Sequence, residues 1–164
     1  MRKLVLMTIL PLMACSSFRN VSGELSINKN GKIAVLPFIN NSETPMSGFK
    51  AKNLVENELY SKNLFISPFQ FQSAGESFSE KDAREALSSL KEKGIDYAFY
   101  GYVNEWRYKA GVDAEPAVSL TINLYDLKTE NVIWSASGSR AMSSYKSAGL
   151  AAQKLVKELL KSVK

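Results

Sequence analysis

The stretch IDYAFYGYVNEWRYKAGVDAEPAVSLTINLYDL, residues 95–127, decides the fold. In its second half Val118, Leu120, Ile122 and Leu124 alternate with Ser119, Thr121 and Asn123. A period of two marks a strand with one buried face. The first half, residues 95–108, reads as another long strand, with Tyr100, Tyr102, Trp106 and Tyr108 expected on one face. A third strand follows at 132–139, after the turn Lys128-Thr-Glu-Asn131. Three consecutive strands predict an antiparallel meander. The first two are joined by an extended segment rather than a two-residue turn. That segment holds out two carboxylates, Asp113 and Glu115, with Pro116 stiffening the return.

Working outward, the N-terminal half alternates strand and helix. Lys32-Ile-Ala-Val-Leu-Pro-Phe-Ile39 is a continuous apolar run, which suits a strand buried on both faces, with an irregularity at Pro37. Residues 48–62 carry Ala51, Leu54, Val55 and Leu59 at helical spacing. Leu64-Phe-Ile66 reads as a short strand. Ser79-Glu-Lys-Asp82 resembles a capping box opening a helix with Ala83, Ala86, Leu87 and Leu90 inward. Residues 144–163 read as the last helix, with Lys154, Lys157, Lys161 and Lys164 opposite Leu155 and Leu159. The order β-α-β-α-β-β-β-α predicts an α/β fold, a mixed sheet with helices packed on it.

The N-terminus is a different kind of segment. Arg2 and Lys3 precede a short apolar run that ends in Leu12-Met13-Ala14-Cys15-Ser16-Ser17. This looks like a lipoprotein signal over residues 1–14, with Cys15 as the lipidated new N-terminus. The run is about half the roughly 20 residues that span a bilayer as a helix. Residues 15–31, polar and rich in Ser, Asn and Gly, are expected to form a flexible tether, leaving 32–164 as one domain. Such an anchor places the protein at the periplasmic side of the outer membrane.

Composition narrows the chemistry. The 164 residues hold no histidine and one cysteine. The commonest general base and metal ligand are therefore missing, and no internal disulfide is possible. No phosphate-binding glycine loop occurs, so neither a cofactor nor a metal is expected. A carboxylate pair such as Asp113 and Glu115 invites a calcium or glycosidase reading. Two acids alternating on an extended tip point apart, however, whereas glycoside hydrolysis needs them facing across a cleft. Removing Arg2 and Lys3 lowers the basic count from 21 to 19 against 16 acidic residues, a net charge of about +3. That is too mild to argue for nucleic acid. The lysine row on the last helix is by default a solvated face; the sharper reading is contact with lipid head groups through Lys154, Lys157 and Lys161.

Three blocks carry a family resemblance: AVLPFINNSETPMSG at 34–48, YGYVNEWRYKAGVDAEPAVSLTINLYDL at 100–127 and IWSASGSR at 133–140. In this order they resemble the PelC family, outer-membrane lipoproteins of bacterial Pel exopolysaccharide export. The middle block is the most specific, with Glu105-Trp106-Arg107-Tyr108 followed by Gly111, Asp113, Glu115 and Pro116. The resemblance implies a non-enzymatic α/β domain similar to the N-terminal domain of TolB. It further implies a homo-oligomer, a dodecameric periplasmic ring whose acidic lumen guides a cationic amino-sugar polysaccharide towards the pore protein PelB. Asp113 and Glu115 would then face the polymer. Where that family has a membrane-touching tryptophan near the last helix, this sequence has Met142-Ser-Ser-Tyr145, so Tyr145 or Met142 takes that place. The alternative is a monomeric TolB-like lipoprotein adaptor binding another envelope protein or peptidoglycan.

Overall fold

A computed structural model describes residues 17–28, 30–69, 77–108 and 115–164. Six strands form one mixed sheet: β1 (Ser17–Val21), β2 (Ile33–Val35), β3 (Ile39–Asn40), β4 (Tyr97–Arg107), β5 (Ala117–Asp126) and β6 (Asn131–Ala141). The spatial order is β1-β6-β5-β4-β2, with β3 also paired to β4. Both β2 and β3 run parallel to β4, and every other pairing is antiparallel. The expected meander is β4-β5-β6. Pro37 splits the first apolar run into β2 and β3, because proline has no N–H to donate to the ladder.

Three helices cover the sheet unevenly. Helices α1 (Ser47–Ser61) and α3 (Ala148–Leu159) share one face with Phe99, Val103, Leu120, Ile122 and Leu124. Helix α2 (Glu80–Glu92) packs alone on the other face, against Ala34, Leu36, Ala98 and Leu127. Close approach of β5 and of Phe38, in the β2–β3 connection, demands a glycine at Gly101. A Cβ there would lie 1.9 Å from the Thr121 carbonyl oxygen and 2.7 Å from Phe38 Cε1.

Helix ends follow local chemistry. Ser79 caps α2: its hydroxyl accepts from Asp82 N, and the Asp82 carboxylate accepts from Ser79 N at 2.8 Å. That is the capping box read from sequence. The last helix starts later than expected. Ser147 caps it through Leu150 N, and it ends in a 3-10 turn, Leu160–Ser162.

Three expectations change. Residues 15–31 do not form a tether throughout, since Ser17–Val21 are β1, an edge strand paired to β6, and Leu25 bridges Val163. The Leu64-Phe-Ile66 strand reduces to a single bridge from Ile66 to Ile33. The four aromatics of β4 do not share a face. Between Val103 and Glu105 the register slips, so Asn104 is an extra residue. A one-residue slip sends every later side chain to the opposite face. Tyr100 and Tyr102 therefore lie on the α2 side, while Trp106 is buried on the α1/α3 side.

Candidate functional site at the hairpin end of the sheet

Register places four strand ends together. Arg107 is opposite Ala117, Ala117 opposite Ala141, and Ser17 opposite Arg140. The end of β4, the start of β5 with Glu115 just before it, the start of β1 and the end of β6 are thus at one end of the sheet. Between β1 and β5 there are two strand spacings, about 10 Å. Cys15 and Asp113 lie outside the described residues. Glu115 is described and exposed, and Pro116 is buried. The Pro116 carbonyl accepts from Met142 N at 3.0 Å, which ties the base of the arm to the segment after β6.

Around this end the residues singled out by sequence part company. Tyr145 is 66% exposed, with Lys146 Nζ 4.8 Å from its ring centre. Met142 is 3% exposed, a core residue whose side chain is not available to a membrane. Lys154 and Lys157 are exposed on α3, and Lys161 is exposed on the 3-10 turn that follows it. They line a hollow with Lys62, Arg140, Glu58 and Glu158. Arg140 is held there by Glu158 at 2.5 Å. No helix among the described residues is long and apolar enough to cross a membrane. Among them, too, no group of three or more acidic or cysteine side chains is arranged to hold a metal.

Tyr102 donates to Glu80 Oε1 at 2.9 Å, and burial, reinforced by that bond, pushes its pKa up to about 12. Tyr100 stacks edge-on against Tyr125, 6.3 Å between ring centres. These two are structural. Beyond the bulge, Asn104, Glu105, Arg107 and Tyr108 form one wall of a cleft of about 570 Å³, with Trp106 in it. The opposite wall is the loop of residues 41–45.

That loop is rigidly tied. The Asn40 side chain donates to Thr44 O at 2.8 Å, and its Oδ1 accepts from Ser42 N, Ser42 Oγ and Ser47 Oγ. Thr44 Oγ1 donates to the Trp106 carbonyl, stapling loop to strand. Sequence reasoning missed the cleft. Asn-Asn-Ser-Glu-Thr-Pro announces a loop, yet nothing local says which strand that loop faces.

No protein-family model matches the chain, and no curated protein matches it. Solved structures do. A PelC dodecamer from Paraburkholderia phytofirmans is 28% identical with a TM-score of 0.74, over 90% of this chain and 96% of that one. A point-variant PelC dodecamer from the same organism is 27% identical with a TM-score of 0.76, over 90% and 98%. The lipoprotein GNA1162 from Neisseria meningitidis shares the fold, at 19% identity and a TM-score of 0.61, over 80% of this chain and 99% of that one.

Proposed function

Starting from a chain that is PelC-like in sequence and fold, we propose that it is a non-enzymatic outer-membrane lipoprotein. Its copies assemble into a dodecameric periplasmic ring. The acidic lumen of that ring guides a cationic amino-sugar polysaccharide of the Pel type to the export pore, PelB. Cys15 carries the lipid, and Asp113 and Glu115 line the polymer path.

The observation that carries this reading is the common end shared by the hairpin arm and the start of β1. Cys15 lies two residues before Ser17, a reach of at most about 7 Å. An acyl anchor there holds the folded domain against the bilayer, with almost no slack. Each subunit is then presented in one orientation, as a ring lying flat on a membrane requires. Exposed Tyr145, beside Lys146, sits near the same end and suits the interfacial zone where aromatic rings and lysines gather. Lys154, Lys157 and Lys161, near Arg140, contribute about 1 kcal/mol each where they meet anionic head groups.

Repetition supplies the strength. One exposed carboxylate meeting one sugar ammonium contributes about 0.2–1 kcal/mol. A closed wall of one sign focuses the potential and concentrates counter-ions. Weak repeated contacts also let a passing chain move on.

Two measurements test this. Light scattering of the detergent-purified lipoprotein is expected to give the mass of a closed oligomer; a monomer at micromolar concentration overturns the ring. Asp113→Asn with Glu115→Gln is expected to leave that mass unchanged and to reduce polymer export. Unchanged export would make the arm a mere connector.

A further inference from the structure

We propose that the cleft between the loop of residues 41–45 and the end of β4 is a saccharide subsite. It takes a short N-acetylated hexosamine segment through hydrogen bonds and ring stacking rather than through charge. This deepens the polymer-guiding reading and rests on it for the identity of the saccharide.

The composition of the cleft carries the argument. Its walls hold Glu43, Asn104, Glu105, Arg107 and Tyr108. The acids do not make an ammonium trap, since Arg107 Nε lies 3.5 Å from Glu105 Oε1 and offsets one of them. What remains is a set of amide, carboxylate and guanidinium groups, acceptors and donors side by side, which matches the vicinal hydroxyls and acetamido groups of a sugar. Tyr108 is 49% exposed and offers a ring face. Lys50 Nζ donates to its hydroxyl at 3.1 Å, which fixes the ring in place. At about 570 Å³ the space falls within the range of small-ligand sites.

Two further observations separate this cleft from an ordinary surface furrow. Both walls are preorganised, one by the Asn40 network and the Thr44 staple, the other by the β4 ladder. Preorganisation removes much of the ordering cost of binding. In addition, Trp106 Nε1 is buried with no hydrogen-bond partner among the described residues. Trp106 lines the cleft, so a ligand oxygen or a ligand-borne water that reached this donor would satisfy it.

Calorimetry on the detergent-purified full-length lipoprotein tests the proposal, with the N-acetylglucosamine tetramer and the glucosamine tetramer as probes. The acetylated tetramer is expected to bind, with affinity changed less than about twofold between about 50 mM and about 500 mM salt, because stacking and hydrogen bonds are little screened. Tyr108→Ala is expected to weaken it by about tenfold, and Tyr108→Phe to retain most of it, the ring face being what stacks. Glu105→Gln, a near-isosteric surface change, is expected to weaken it as well. Three results would overturn the subsite: no binding of the acetylated tetramer, binding of the glucosamine tetramer alone with loss at high salt, or full affinity in both Tyr108→Ala and Glu105→Gln. The readout belongs to the single subunit, so a protein that binds the tetramer yet is monomeric sinks the ring and leaves the cleft standing.

Discussion

At the scale of single residues, Gly101 shows how tightly the sheet is closed. With the Thr121 carbonyl and the Phe38 ring both inside van der Waals range of any added Cβ, Gly101→Ala forces β4 away from β5 and displaces Phe38. We predict a loss of about 3 kcal/mol in urea unfolding. A second residue-scale prediction concerns alkaline pH. Tyr102 has its folded pKa raised from 10.0 to about 12, and Tyr100 is shifted the same way, chiefly by burial. A raised folded pKa means that the folded state holds its proton more firmly. The stability this contributes is complete below pH 10 and is lost as pH rises through about 12. Tyr102→Phe should therefore remove the highest-pH step in a phenolate absorbance titration; loss of a step near 10 instead would contradict the assignment. At this scale the sequence spoke clearly only where chemistry is local. The over-long hairpin pointed to an exposed Glu115, and the structure has it exposed, whereas Cys15 lies outside the described residues. The burial of Met142 was not legible, because a methionine after a strand reads the same whether it turns into the core or away from it.

Among elements, legibility depended on how regular each one is. Period-two alternation gave β5 correctly, since Val118, Leu120, Ile122 and Leu124 do face the helices. The same rule failed on β4. Nothing in Tyr-Val-Asn-Glu-Trp marks Asn104 as the surplus residue, and the slip sends Trp106 into the core. Deleting Asn104 should restore the simple alternation and push Trp106 out of its site. A sharp fall in thermal stability with a red-shifted tryptophan emission is expected; an unchanged spectrum would deny the bulge. Strand β1 was missed for another reason. Ser-Phe-Arg-Asn-Val is polar, and its partner lies far along the chain at Ala136–Arg140. Edge strands gain their hydrogen bonds non-locally, so composition alone reads them as linker. Hydrogen exchange should find protected amides within Ser17–Val21, whereas a true tether would exchange at once. The capping box of α2 is the opposite case, a local device found in the sequence. Ser79→Ala should cost about 1 kcal/mol. The Asp82 carboxyl is held below its usual range by its hydrogen bonds to Ser79, so the contribution of the box is present above pH 3.8 and fades as acid protonates it.

On the scale of the whole molecule, one topological fact organises the rest. Antiparallel pairing brings the base of the hairpin arm and the start of β1 to one end of the sheet, and Met142, three residues before Tyr145, is bonded to Pro116 there. On the proposed reading, a lipid two residues before Ser17 would hold this end of the sheet close to the membrane. In the proposed ring, closure would turn one weak carboxylate into a circle of them. The account therefore expects two kinds of saccharide attraction in one assembly. Long-range pull of a polycation by the lumen should fall steeply as salt shortens the screening length to about 8 Å and below. Short-range binding in the cleft beside Tyr108 should hardly respond. The most direct test is a three-dimensional reconstruction of the lipidated, assembled protein in a lipid nanodisc. A closed ring with Glu115 of every subunit lining its opening is expected, whereas Glu115 on the outer rim, or single subunits scattered on the bilayer, would contradict the proposed ring.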